Sequence, residues 1–175
     1  MMIQDPEVQL VMSVASTLER RYAKKKLHWR GSPFRWMAEG LPPSTKGKVA
    51  KKLVARWCTH KGFVVTQTGD READLMISGK RVVVKLSMLW ETGVFRFQQF
   101  RDYDYDYGIC LGISPNDVQC WVIPKEILLE EATPQHLGRR GSDTRWLSFP
   151  ASDPPPWLDH YGGCLSEVYR IIGAW

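Results

Sequence analysis

The stretch Glu72-Ala73-Asp74-Leu75-Met76-Ile77-Ser78-Gly79-Lys80-Arg81-Val82-Val83-Val84-Lys85-Leu86-Ser87 decides the fold. Two runs rich in branched and apolar residues flank Ser78-Gly79, which has the composition of a tight turn. Residues 72–77 and 81–87 therefore read as the two strands of a hairpin. Side chains alternate along a strand, so Val83 and Lys85 share a face. Lys85 interrupts an otherwise apolar run, and a lysine is rarely buried without a partner. Asp74, across the hairpin, is the expected one. Glu72 is expected on the same strand face as Asp74.

Outward from the hairpin, Phe63-Val64-Val65-Thr66 reads as a preceding strand. Before it, a helix is expected over 46–61, after the break at Gly40-Leu41-Pro42-Pro43 and capped by Ser44 or Thr45. Its apolar residues are Val49, Leu53, Val54 and Trp57. Its basic face carries Lys46, Lys48, Lys51, Lys52 and Arg56. On the other side of the hairpin, residues 92–103 read as a short helix bearing Gln98 and Gln99. Strands follow at 107–113 and 118–123, joined by the turn Ser114-Pro115-Asn116-Asp117. A helix is expected at 124–131, loop over 133–156, and a final helix at 164–174. At the other end, residues 5–24 pattern as an amphipathic helix on Val8, Val11, Met12, Ala15, Leu18 and Tyr22, with Asp5 as N-cap and Lys24-Lys25-Lys26 at its C-terminal dipole. This order gives an α/β fold: a mixed β-sheet core flanked by helices, with the helix at 92–103 as the crossover that makes the strands at 81–87 and 107–113 parallel. One domain is expected, composed of an N-terminal helix and basic aromatic connection (1–45), a core (46–132), and a loop with a C-terminal helix (133–175).

Of the 175 residues, 43% are hydrophobic and 25% charged, which suits a packed domain rather than a disordered chain. No run approaches a membrane span, and MMIQDPEVQL lacks the pattern of a signal peptide. Cys58, Cys110, Cys120 and Cys164 show no CxxC or zinc-ligand spacing, so reduced thiols and a cytoplasmic location are expected. The net charge of +5 is uneven. Residues 19–56 hold twelve basic and two acidic residues, a net of +10, and the remainder carries −5. Local positive potential of this kind rewards a polyanion such as DNA.

Asp74, the strand Val82-Val83-Val84-Lys85-Leu86-Ser87 and Gln98-Gln99 resemble the PD-(D/E)XK nuclease superfamily, with its restriction-endonuclease-like fold. The resemblance covers about residues 46–123. Phe97-Gln98-Gln99-Phe100-Arg101-Asp102, Tyr105-Asp106, Ile113-Ser114-Pro115 and Trp121-Val122-Ile123-Pro124-Lys125 look like those of a small type II restriction-type endonuclease. The resemblance implies Mg²⁺-dependent hydrolysis of double-stranded DNA by a homodimer, within restriction-modification. It implies Asp74 as metal ligand, Lys85 as catalytic lysine, the Val84 carbonyl as a further ligand, Ser87 near substrate, and Gln98 or Gln99 lining the site. The chain departs from the pattern at Val83, where the acidic residue of the triplet belongs, and at Lys51, in the helix stretch where members often carry a glutamate. Three explanations stand side by side: a migrated carboxylate (Glu72 or Glu91), an inactive relative that keeps DNA binding, or Val83 as an introduced substitution. A second subunit supplying the missing carboxylate is a further alternative.

Elsewhere, Gln135-His136 and Gly138-Arg139-Arg140-Gly141 form a glycine-rich loop with groups suited to base edges, set against an ordinary exposed loop. Trp29, Trp36, Arg30 and Arg35 are candidates for stacking on nucleic acid, with packing the main expectation in a chain of eight tryptophans. The alternating run from Asp102 to Tyr107 reads as strand entry rather than a metal cluster. His28, His60 and His160 read as surface or packing residues.

Overall fold

A computed structural model describes residues 6–22, 29–135 and 144–175. Asp5, Lys24–Lys26, His28, His136, Arg139 and Arg140 lie outside the described residues. The centre is a mixed six-stranded sheet built from β1 (Val65–Gln67), β2 (Leu75–Ile77), β3 (Lys80–Met88), β5 (Tyr107–Ile113), β6 (Val118–Pro124) and β9 (Gly162–Gly163), in the order β1-β2-β3-β5-β6-β9. The hairpin β2–β3 forms as its sequence dictates, with Leu75 opposite Val82 and Ile77 opposite Lys80. β3 and β5 are parallel and β5 and β6 antiparallel.

The crossover between the parallel strands is not a helix. Residues Val94–Phe100 form β4, which pairs antiparallel with β8 (Arg145–Pro150) in a second sheet of order β4-β8-β7, where β7 is Thr133–Pro134. Phe95 and Phe97 point into the core while Arg96 and Gln98 point outward, which is a period of two. Between Phe97 and Phe100 the register slips, and Gln99 sits there at φ +62°. This bulge inserts an extra residue, and the resulting three-residue step from Phe97 to Phe100 imitates helical spacing. The expected loop over 133–156 likewise contains β7 and β8, whose Leu147 and Phe149 alternate inward.

Each face of the central sheet has its own core. On one face Val82, Val84, Ile109, Leu111 and Ile113 pack with helix α3 (Pro43–His60), short helix α2 (Arg35–Gly40) and α5 (Leu165–Gly173). Helix α3 begins at Pro43 after Pro42, with no side-chain cap from Ser44 or Thr45. It buries Ala50, Val54 and Cys58, one stripe at four-residue steps, while Leu53 stays 37% exposed. On the other face Val83, Cys110, Trp121 and Ile123 meet Phe95, Phe97, Leu147 and Phe149 of the second sheet and Leu128 of α4 (Lys125–Glu131). Gly108 and Gly112 of β5 allow this close approach. A Cβ on Gly112 would stand 2.8 Å from the Phe95 ring.

Helix α1 (Pro6–Tyr22) packs differently from its amphipathic reading: Val8, Val11, Met12 and Leu18 are exposed. Among the described residues no helix is long and apolar enough to cross a membrane. All four cysteines are free; Cys58, Cys110 and Cys120 are buried. Burial pushes the Cys58 and Cys120 thiols up to about 12, so they remain protonated.

Candidate functional site

Asp74 stands just before β2, where the strand ladder with β3 runs out. Its backbone N–H donates to the Val82 carbonyl at 2.8 Å. The next β3 residue facing that edge, Val84, donates its N–H to Asp74 Oδ2 at 2.7 Å. The aspartate thus caps the open edge of β3 with its side chain, which explains its fixed orientation. Its other oxygen, Oδ1, pairs with Lys51 Nζ of α3 at 2.5 Å. The salt-bridge partner of Asp74 is therefore Lys51, not Lys85.

Lys85 is nevertheless close enough to feel Asp74. Its ammonium lies 5.7 Å from the centre of the Phe100 ring. Burial holds its pKa below the ordinary lysine value, an effect that the Asp74 carboxylate opposes and the Lys51 charge reinforces. Lys51, Asp74 and Lys85 form one electrostatic group contributed by α3, the lead into β2, and β3. Asp74 therefore acts on Lys85 through space rather than as its ion-pair partner. Lys51 takes that place because α3 reaches the site through the tertiary fold.

Other expected site residues divide plainly. Val83 is 8% exposed and belongs to the aromatic core on the second face. Glu72 does not share a strand face with Asp74, because β2 begins only at Leu75; its carboxylate accepts the Asp104 N–H at 2.8 Å. Glu91 is exposed in the turn beyond β3, in a groove lined by Trp29, Glu39 and Trp90. Ser87 is 3% exposed; its hydroxyl accepts the Arg96 N–H and donates to the Met88 carbonyl, so it fastens β4 to β3 rather than facing substrate. Gln98 and Gln99 lie on β4, not on a helix, with Gln99 exposed beside Phe100. Gln135 closes the β7–β8 loop by donating its backbone N–H to the Thr144 carbonyl at 2.7 Å. Trp29 is core at 4% exposure. The acidic run is strand entry: Asp102 pairs with Lys125 and Asp104 with Arg81.

The basic face of α3 survives in part. Lys46 turns inward to donate to the Ala38 carbonyl at 2.8 Å, and burial lowers its pKa. Lys48, Lys51, Lys52 and Arg56 line a groove of about 420 Å³ between α3 and β1, together with Gln67. Its continuation along α3 is lined by Arg56, Thr59 and His60. The groove thus includes Lys51, the residue already bound to Asp74.

The donor set does not fit a resident Mg²⁺. A hard cation needs several oxygens with carboxylate help. Among the described residues no group of three or more His, Cys, Asp and Glu side chains gathers to hold a metal. Both oxygens of Asp74 are engaged, one by a cation.

No family model matches the sequence, and no curated protein matches it. Nine chains of solved structures match. One is a bacterial homing endonuclease, I-Ssp6803I, at 18% identity and a TM-score of 0.52, over 76% of this chain and 95% of that one. The chain is similar in fold to that protein. At this identity the likeness concerns the fold: a mixed sheet with helices around it.

Proposed function

We propose that this protein binds double-stranded DNA through the α3–β1 groove and the adjoining Lys51–Asp74–Lys85 group. The observation that carries the reading is the line of Lys48, Lys51, Lys52 and Arg56 along a groove that shares Lys51 with this group, on a fold similar to that of a homing endonuclease. Cations spaced along one helix face suit successive backbone phosphates, and these contacts position a protein without reading sequence. The segment 133–146, with Gln135, His136, Arg139 and Arg140, is the candidate reader of bases. A homodimer in the cytoplasm, matching two-fold symmetric sites, completes the proposal.

The test is fluorescence anisotropy with a labelled duplex across a salt series. Lys48→Ala/Lys52→Ala/Arg56→Ala is expected to weaken binding and flatten the slope of log K against log salt. If each residue meets one phosphate, the slope magnitude falls by about 2.7. An unchanged affinity and slope would remove the groove from the interface. Sedimentation with and without DNA reads the oligomeric state.

A second reading is a restriction-type, Mg²⁺-dependent endonuclease, favoured by the placement of Asp74 and Lys85 on the paired segments of one hairpin, where the carboxylate acts on the ammonium. In that reading Asp74 and Lys85 meet the scissile phosphate, Gln98 and Gln99 flank it, and a second subunit supplies the carboxylate that Val83 lacks. Plasmid nicking with Mg²⁺ or Mn²⁺ separates the readings. Cleavage by the unaltered chain that disappears in Asp74→Asn supports the enzyme. Binding without cleavage supports the non-catalytic form, and cutting by Val83→Glu alone marks Val83 as the switch.

A further inference from the structure

We propose that Lys51 is the resident cation of this site, with its ammonium in the place of a divalent metal ion on Asp74, so that a DNA phosphate is held there without metal. The phosphate half of this inference rests on the DNA-binding reading above. The metal half does not.

Four observations meet here. Lys51 Nζ lies 2.5 Å from Asp74 Oδ1. Asp74 Oδ2 is taken by the Val84 N–H at 2.7 Å, so each carboxylate oxygen already has a partner. Val83, which precedes these atoms on β3, is 8% exposed among aromatic rings and has no oxygen to offer a cation. Lys85 places a second ammonium within electrostatic reach of both Asp74 and Lys51. Two ammonium groups around one carboxylate leave the site with a positive surplus.

That surplus decides which ligand the site takes. A divalent ion would approach two like charges and compete for a carboxylate that already has an ammonium and an N–H. A phosphodiester brings one negative charge, which the surplus matches. Lys51 is suited to both partners because an ammonium has three donors and no acceptor. One donor is spent on Asp74. The Lys51 side chain is 44% exposed, so the others are open to solvent, in the groove that Lys51 lines with Lys48, Lys52 and Arg56. Asp74 then acts as a positioning residue for Lys51 and not as a metal ligand.

The first experiment is calorimetric titration of the full chain with MnCl₂ in the absence of DNA. The unaltered protein is expected to give no saturable heat in the millimolar range. Lys51→Glu/Val83→Glu, checked for native circular dichroism, is expected to gain saturable Mn²⁺ binding that a further Asp74→Asn change removes. Saturable binding by the unaltered chain that is lost in Asp74→Asn alone overturns the proposal. That comparison decides the matter even where the double variant fails to fold. The second experiment repeats duplex binding in EDTA and in Mg²⁺. Affinity in EDTA at least as high as in Mg²⁺, with a fall of about tenfold in Lys51→Met, a loss appropriate to one charge-assisted contact, is expected. A steep loss in EDTA overturns metal-free phosphate binding. Absence of duplex binding under every condition sinks the DNA-binding reading instead, and leaves the Mn²⁺ titration to judge the metal half.

Discussion

At Lys85 an ammonium is drawn out of water and finds an aromatic ring on one side and a shared carboxylate nearby. Asp74 does not fully compensate, since it already serves Lys51. The sign of the consequence is fixed by linkage. The folded-state pKa lies below the ordinary 10.5, so between that depressed value and 10.5 the unfolded chain holds more protons than the folded one. Stability should therefore rise with pH through this window. At neutral pH the charged lysine is a burden on the fold. Lys85→Met, which keeps most of the volume, is expected to melt higher than the unaltered protein at pH 7. Its advantage should shrink as the pH climbs toward 10.5. Melting curves across this range check it, and an advantage that does not vary with pH would assign the gain to packing alone. A group that destabilises its own fold is the kind retained for contact with a ligand. The duplex affinity of the same variant should fall. Much of this was legible in the residues: a lysine in a valine run demands an explanation before any coordinates are known. The Lys51 partnership was not legible as an ion pair, because strand periodicity says nothing about which helix residue crosses the hairpin.

Among the elements, β4 shows most clearly where local reading stops. Phe95 and Phe97 carry the two-residue period of a strand, and the bulge at Gln99 breaks it before Phe100. A segment of seven residues with one inserted residue has too few repeats to separate the two periods. The hairpin β2–β3, the pair β5–β6 and helices α3, α4 and α5 were legible, since turn residues or prolines bracket uninterrupted apolar patterns. β8 was not, because six residues ending in proline beside a glycine-rich loop resemble the loop itself. The second sheet was therefore missed as a unit, although β5 held a clue in Gly108 and Gly112. They lie on one face, four residues apart, and leave room for Leu128 of α4 at Gly108 and for the Phe95 ring of that sheet at Gly112. This makes a prediction at the level of sheet packing. In Gly112→Ala the new methyl meets the Phe95 ring at 2.8 Å. Phe95 cannot retreat, because Phe97, Trp121 and Phe149 hold its ring on the other sides. Overpacking of this kind costs about 1–3 kcal/mol. Gly69→Ala, whose Cβ would have no neighbour within 4 Å, should stay within about 0.5 kcal/mol of the parent. Denaturant unfolding of the two variants makes the comparison, and equal midpoints would show that the second sheet yields at this contact.

For the whole molecule, the first 45 residues look like one basic unit in sequence, yet the structure treats them as two kinds of chain. Trp29 and Met37 are buried at 4% and 1% exposure and belong to the core under α3. Lys46 ties the same segment down through the Ala38 carbonyl. Helix α1 contributes no such burial: Leu10, Val11 and Val14 are 60%, 66% and 51% exposed. Apolar area left in water adds nothing to the hydrophobic stabilisation of the body, whereas a buried methionine adds several contacts at once. Charge is divided in a similar way, with the +10 block running from the end of α1 through α3 while the acids concentrate in the remainder. Two changes at nearly the same distance from the chain start should therefore differ sharply. Removal of residues 1–22 is expected to shift the melting temperature by less than about 2 °C, since less than about 0.5–1 kcal/mol is lost. Met37→Ala should cost about 2–5 kcal/mol from lost burial and the cavity left behind. For a chain of this size that amounts to a fall of at least about 5 °C. Differential scanning calorimetry of both proteins at one concentration reads the contrast. A truncated chain that melts as low as Met37→Ala would mean that α1 is held against the body, and the apolar face it exposes would then have to be counted as part of the core.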